Sequence, residues 1–155
     1  MGLDMYLTAK KYLWSSNNKQ DQAIAKKIAE LVEVEVDFDL RFRGASFCPK
    51  EVAIDAMYWR KANMIHQWIV DNIQEGEDDC KEYYVPREDL ETLLANCVNA
   101  LTNRDGDILP PSSGFFFGST EIDEYYWQDL EDTVKGLEKV LSLSDDWSFY
   151  YQASW

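Results

Sequence analysis

A single histidine, His66, limits the acid–base and nucleophilic chemistry that this chain can perform. A Ser-His-Asp or Cys-His mechanism would have to use His66, and no serine of the sequence lies in a GxSxG motif. The three cysteines, Cys48, Cys80 and Cys97, form no CxxC pair and are typical of reduced thiols in a cytoplasm. A hydrolase or transferase that uses His66 is therefore one hypothesis, but we assign no catalytic residue.

The sequence shows no pattern that is typical of a metal site. HExxH motifs, histidine pairs and EF-hand loops are absent from it. Carboxylates alternate along residues 33–39, but side chains two apart on a strand are about 6.6 Å apart, so they do not converge on one ion. We predict neither a metal nor a cofactor.

Aromatic residues interleaved with directional polar groups indicate a binding site in two segments, 59–66 and 112–120. A planar anionic ligand would stack on the rings, bind its phosphate to Arg or Lys, and present polar edges to Asn. An aromatic core closed by Tyr and Trp hydrogen bonds explains the same residues equally well. The predicted ligand-binding residues are Trp59, Arg60, Lys61, Asn63, His66, Ser113, Phe116, Phe117, Ser119 and Thr120.

Several motifs together resemble a family of small proteins that we associate with bacteriophages and bacteria. The motifs are GLDMYL at 2–7, YWRKAN at 58–63 followed by His66 and Trp68, Asp79-Cys80 before Tyr83-Tyr84, SGFFFGST at 113–120 and FYYQASW at 149–155. The resemblance covers nearly the whole chain and brings no activity with it. It implies a phage context in the host cytoplasm, where short proteins often counter host defence by sequestering nucleotide signals or by binding host enzymes.

The leading hypothesis is an anti-defence binding protein that sequesters a small nucleotide-like signal. The alternative is an acidic, DNA-mimic-like inhibitor of a host defence protein, because the net charge is −14 and residues 51–155 hold 22 acidic and 7 basic residues. Such a charge disfavours direct binding of nucleic acid, which normally uses Lys and Arg on phosphates. No apolar run is long enough for a transmembrane helix, so no membrane partner is expected. A homo-oligomer is compatible with these features.

The elements that would position these residues predict an α+β fold in a single domain, 1–155. We expect a small, mainly antiparallel sheet covered by about four helices. The strands are predicted near 3–13, 34–43 and 148–154, with a short one at 83–85, and the last strand pairs with the first. The helices are predicted at about 22–31 after Asp21, at 51–73, from Pro86 to about 101, and from Thr120 to about 141.

The predicted helix 51–73 is the central element of this interpretation. Its periodicity places seven residues on a core face: Ile54, Met57, Tyr58, Met64, Ile65, Trp68 and Ile69. Trp59, Asn63, His66 and Val70 fall on a second face. The predicted ligand pocket lies between that second face and the 112–120 loop.

Overall fold

The computed structural model describes residues 2–14, 18–39 and 43–155. Within these residues, four helices and a four-stranded antiparallel sheet, with 39% helix and 20% strand, confirm the predicted α+β class. Among the described residues, no helix is both long and apolar enough to cross a membrane. The elements in chain order are β1 (Asp4–Tyr12), α1 (Lys19–Leu31), β2 (Glu51–Arg60), α2 (Asn63–Asn72), β3 (Tyr83–Val85), α3 (Arg87–Asn103), α4 (Glu124–Leu141) and β4 (Trp147–Ser154).

The sheet has the strand order β2-β1-β4-β3. The predicted pairing of the C-terminal strand with the first strand is therefore confirmed. Strand β4 also pairs antiparallel with β3, where Tyr84 lies opposite Tyr150 and Val85 opposite Phe149.

Alternation along β1 and β4 separates the two faces of the sheet. Met5 and Leu7 are buried whereas Tyr6 between them is exposed, as a half-buried strand requires. Along β4, Phe149 and Tyr151 are buried in the same way, whereas Tyr150 between them is only half-buried. The inward side chains form one hydrophobic core with residues of α2, α3 and α4.

The prediction of a helix over 51–73 was wrong in its first half. Residues 51–60 form strand β2, and the helix begins only at Asn63. Lys61 N–H donates to the Leu3 carbonyl and Leu13 N–H donates to the Lys50 carbonyl, so β2 is held by backbone bonds to β1 at both ends. The helical stripe was therefore coincidental at Ile54 and Tyr58, which are exposed. Strand pairing outweighed a weak local periodicity.

The strand predicted at 34–43 is absent from the described part of that segment. Residues 34–39 and 43 are not in a strand, and residues 40–42 lie outside the described residues. No strand pairs with the described part of this segment, and Val34 remains exposed. Alternation alone does not form a strand, because the backbone groups need a neighbouring chain.

Two helix starts differ from the prediction by a few residues. Helix α1 begins after Asn18, whose side chain accepts from Gln20 N–H. Asp21, the predicted cap, is instead buried and accepts from the Trp14 backbone N–H at 2.9 Å. Helix α4 is capped by Asp123 rather than by Thr120.

The chain divides into two compact units. Unit 1 comprises Met1–Ala9 and Asp55–Trp155, and unit 2 comprises Lys10–Ile54. The acidic charge belongs to unit 1, which has 22 acidic and 7 basic residues, whereas unit 2 has 7 and 8. All ten predicted ligand-binding residues belong to unit 1.

Candidate functional site

His66 is completely buried and bonded through both ring nitrogens. Its Nδ1 lies 2.7 Å from the Tyr151 hydroxyl and its Nε2 lies 3.0 Å from Asp78 Oδ1. An ionised carboxylate can only accept, so Nε2 donates to Asp78 and Nδ1 accepts from Tyr151. The Phe117 ring packs edge-on against the imidazole at 5.0 Å, and Trp155 lies at 5.8 Å.

The environment of His66 favours the neutral imidazole. Burial lowers the pKa of His66, while the charge of Asp78 and its hydrogen bond act in the opposite direction. Burial also raises the pKa of the Tyr151 hydroxyl. The hydrogen bonds to Asp78 and Tyr151 hold the His66 imidazole in the core. A ligand at the surface cannot reach it there.

Trp59 also lies in the core rather than at an open surface. Its side chain is 5% exposed, and its indole N–H donates to Thr133 Oγ1 on α4 at 2.9 Å. The same hydroxyl donates to the Asp129 carbonyl at 2.6 Å. These bonds tie β2 to α4 and leave Trp59 no open face for stacking.

Asn63 fastens the 112–120 loop to the start of α2. Its amide nitrogen donates to the carbonyls of Phe117 and Ser119 at 3.0 and 2.8 Å, and its carbonyl oxygen accepts from Ser112 N–H at 3.0 Å. The Ser112 hydroxyl bonds Gln67 one turn further along the helix at 2.8 Å. The amide is buried, so its three partners are in the protein itself.

The three consecutive phenylalanines have three different environments. Phe115 is 94% exposed, Phe116 is half-buried against the core, and Phe117 is buried beside His66. Phe115 and Phe116 contact each other edge-on at 4.8 Å. The predicted pocket between the loop and α2 is therefore filled by the loop's own Phe117.

The three hydroxyl-bearing residues that were predicted to line the pocket also differ in what their side chains contact. Ser119 Oγ accepts from the Glu121 backbone N–H at 3.0 Å, and Ser113 and Thr120 are exposed. The first N–H groups of α4 are already occupied, because Asp123 Oδ1 accepts from Tyr125 and Tyr126 at 3.0 and 3.1 Å. A protein carboxylate thus fills the place that an anion would take at this helix start.

A cleft of about 270 Å³ is lined by residues from the end of β2, the 112–120 loop and the first turns of α4. Four predicted residues line it, namely Arg60, Lys61, Asn63 and Ser119. Its remaining lining consists of Met64, Pro111, Gly118, Glu121, Asp123, Tyr125, Tyr126 and Asp129. We call this space the Arg60–Lys61 cleft.

The backbone at Lys61 is constrained from several directions. Its φ angle is +59°, a left-handed conformation that is uncommon for lysine. A Cβ on Gly2 would lie 3.0 Å from Lys61 Cε, and one on Gly118 would lie 3.3 Å from Lys61 Cβ. The aliphatic stem of Lys61 therefore packs closely against the chain at both glycines. The lysine is therefore held by its backbone bond to Leu3 and by two close glycines.

The charged groups of the Arg60–Lys61 cleft do not neutralise one another. Neither Arg60 nor Lys61 forms an ion pair with any carboxylate of the described residues. Burial, and then the neighbouring charges of Asp132 and Asp123, raise the pKa of Asp129 to about 6. Within ranges 2–14, 18–39 and 43–155, no group of three His, Cys, Asp or Glu side chains could hold a metal ion.

Sequence reasoning identified the two cations of the cleft but not its acidic wall. Glu121, Asp123 and Asp129 follow no motif, and Asp129 is one of many acidic residues on a polar helix face. The helical spacing of Asp129 with Tyr125 and Tyr126 would have placed them together on α4. No feature of the sequence predicted that α4 lies next to the end of β2.

Comparison of the chain with protein-family models, curated proteins and solved structures found no match.

Proposed function

We propose that this protein binds a small anionic ligand of nucleotide type in the Arg60–Lys61 cleft and acts by sequestering it. The observation that carries the proposal is a pair of adjacent cations without ion-pair partners in the described structure, one of them in a strained backbone conformation. Strain of this kind persists where the surrounding structure enforces it, and it is concentrated at functional sites. A phosphate would neutralise both cations and accept their hydrogen bonds.

The size of the cleft fits a mononucleotide that is partly enclosed. Its volume of about 270 Å³ is slightly below the roughly 300–1,000 Å³ of typical ligand pockets. The Tyr125 ring at the rim is 80% exposed and offers a face on which a base can stack. Tyr125 would thus take the stacking role that the sequence suggested for Trp59 and for Phe116 or Phe117.

Binding without chemistry is the form of this function that the geometry favours. The only histidine is enclosed by Asp78, Tyr151 and Phe117 and does not reach the cleft lining. In the phage context that the resemblance implies, a stoichiometric binder would act in the host cytoplasm by removing a nucleotide signal from a defence system. The phage context itself stays a prediction.

Isothermal titration calorimetry against a panel of nucleoside monophosphates and cyclic and ADP-ribose-type nucleotides tests the proposal. Arg60→Gln and Lys61→Gln should each weaken binding about 10–100-fold, because each removes a charge-assisted hydrogen bond. Lys139→Gln is the matched control, since it removes an exposed lysine that lies outside the cleft. A folded wild-type protein that gives no heat with any member of the panel would refute the proposal.

A second candidate function, binding to a basic partner protein, is favoured by the open face of the sheet. Tyr6 and Tyr58 contact each other there at 5.4 Å between ring centroids, and Tyr84 and Tyr150 do so at 5.7 Å. Tyr58 also donates a hydrogen bond to Asp4. Exposed tyrosines are enriched at protein interfaces and can stack on arginine, and the excess of 15 negative charges in unit 1 would attract a basic partner.

Fluorescence anisotropy with a labelled arginine-rich peptide tests this second candidate. Binding should weaken with added salt and should fall in the Tyr58→Ser and Tyr84→Ser variants. Tyr125→Ser is the control, because Tyr125 is an exposed tyrosine on α4 rather than on the sheet. If all three variants bind the peptide as the wild type does, the sheet face is not a docking surface for basic segments.

A further inference from the structure

Asp129 differs from the other two carboxylates of the Arg60–Lys61 cleft. Glu121 is exposed, and Asp123 is occupied in capping α4. The Asp129 side chain is half-buried and has no hydrogen-bond or ion-pair partner among the described residues. A partly desolvated carboxylate without partners is unfavourable for folding, and the raised pKa of Asp129 expresses this cost.

Asp132, a neighbouring carboxylate on α4, does have hydrogen-bond and ion-pair partners. Asp132, one turn further along, accepts from Gln128 at 3.0 Å and pairs with Lys135 at 3.5 Å. Asp129 has no such neighbour, although two cations line the same cleft. No nitrogen of Arg60 or Lys61 is within ion-pair distance of it. The two cations and Asp129 therefore line the same cleft without forming an ion pair with one another.

A ligand that contacts both the two cations and Asp129 has to be chemically bipolar. Its anionic group would face Arg60 and Lys61, and its other end would have to offer N–H donors, because a carboxylate only accepts. Amino groups on heterocyclic bases are such donors, and Asp or Glu accepts from them in base recognition. A carbonyl oxygen at the same place would face the carboxylate without a hydrogen.

We infer that Asp129 is the specificity-determining residue of the cleft and selects nucleotides whose base carries an exocyclic amino group. This inference rests on the proposed function and adds the class of base to it. Tyr125, one helical turn before Asp129, lines the same cleft and would hold the base by stacking while the carboxylate reads its edge. A site built to bond a donor rejects the analogue that lacks it, since its own polar group is then left unpaired.

Calorimetry with matched pairs of monophosphates tests this inference directly. The pairs are AMP with IMP, GMP with IMP, and CMP with UMP, which differ in the presence of an exocyclic amino group. At least one amino-bearing nucleotide should bind the wild type about 10–100-fold more tightly than its partner. Asp129→Asn, which keeps the size of the side chain and removes its charge, should reduce that preference to about twofold without weakening the partner nucleotide.

The control is Asp132→Asn, which makes the same change at a carboxylate outside the cleft and should leave the preference intact. Equal binding of both members of every pair by the wild type would overturn the inference and leave the proposed function standing. The same holds if Asp129→Asn and the wild type show the same preference. If none of these monophosphates binds the wild type, the inference about Asp129 fails. The proposed function fails as well only if the cyclic and ADP-ribose-type nucleotides also give no heat.

Discussion

Lys61 is the residue at which stability and function are expected to oppose each other most clearly. A left-handed conformation costs an L-residue about 1–2 kcal/mol, and asparagine tolerates it better than lysine. Lys61→Asn should therefore leave the free energy of unfolding unchanged or raise it by up to about 1 kcal/mol. The same variant should lose about 10–100-fold in nucleotide affinity, since it loses a cationic donor. Urea denaturation and calorimetry measure the two effects.

Glu33 provides a control for the effect of the left-handed backbone conformation on stability. Its φ angle is +58°, nearly the same as at Lys61, but it lies in unit 2 and outside the cleft. Glu33→Asn should give a similar change in stability and no change in nucleotide binding. If Lys61→Asn instead destabilises the protein strongly and keeps its affinity, Lys61 is a packing residue and the cleft loses its main support.

His66 gives a second prediction at this scale, and it can be measured without a substitution. Because the chain has one histidine, a single imidazole signal in an NMR titration reports its pKa. We expect a value below 6.5, since burial outweighs the attraction of Asp78. A value of 6.5 or higher would show that the Asp78 carboxylate dominates.

The sign of the stability effect follows from the lowered pKa of His66. The unfolded chain binds a proton at about pH 6.5, and the folded chain binds it only at lower pH. The contribution of His66 to stability is therefore fully present above pH 6.5 and is lost as the pH falls through the folded-state value. Asp129 acts in the opposite direction, because its raised pKa lets folding take up a proton between about pH 4 and 6. Thermal melts of the Asp129→Asn variant separate the two.

At the scale of elements, the 112–120 loop is held in place by the start of α2. Asn63→Ala would leave two loop carbonyls and one loop N–H without their partner. We expect a loss of about 2–4 kcal/mol in the free energy of unfolding, since each group left unsatisfied costs about 1–3 kcal/mol at full burial. Faster proteolysis within 112–120 should accompany it.

Asn72→Ala is the matched control on the same helix. The Asn72 amide is exposed and donates only to the Trp68 carbonyl one turn earlier, so its loss should cost less than about 0.5 kcal/mol. Equal effects of the two substitutions, or unchanged proteolysis of the loop in Asn63→Ala, would show that the three hydrogen bonds do not anchor the loop.

The contrast between β2 and α2 shows how far the sequence predicts this fold. Strands β1 and β4 and helix α3 were recoverable because each carries its own signal, either strict alternation or a spaced apolar stripe after Pro86. Residues 51–60 carry a mixture of helical and strand signals, and pairing with β1 decides between them. The site was partly recoverable for the same reason. Arg60 and Lys61 stand out locally, whereas the acidic wall comes from α4 and from the residues just before it, which lie far later in the chain.

The burial of Trp59 and His66 in the core could not be predicted from the sequence. Both residues were predicted to face a ligand because aromatic and imidazole groups next to cations suggest recognition. Their actual partners, Thr133, Asp78 and Tyr151, are distant in the sequence and belong to no common motif. Whether such a residue lines a site or closes a core depends on those partners, and a single sequence does not show them.

At the scale of the whole molecule, a net charge of −14 should make stability depend on salt. Like charges repel in the compact state, and salt shortens the range of that repulsion from about 30 Å at 0.01 M to about 3 Å at 1 M. The neighbouring residues Glu138 and Lys139, both exposed near the end of α4, allow a test with changes of opposite sign at nearly one place.

Glu138→Gln should raise the melting temperature at 0.01 M salt, because it removes one negative charge from an acidic body and from the negative end of a helix. Lys139→Gln should lower it for the same two reasons. Both shifts correspond to about 0.3–1 kcal/mol at low ionic strength, and both should nearly vanish at 1 M NaCl, where the wild type itself melts at a higher temperature than at low salt. Differences that persist unchanged at 1 M would mean that local contacts, rather than the charge of the molecule, set the stability of α4. The salt-sensitive attraction of a basic partner to unit 1 would then lose its physical basis as well.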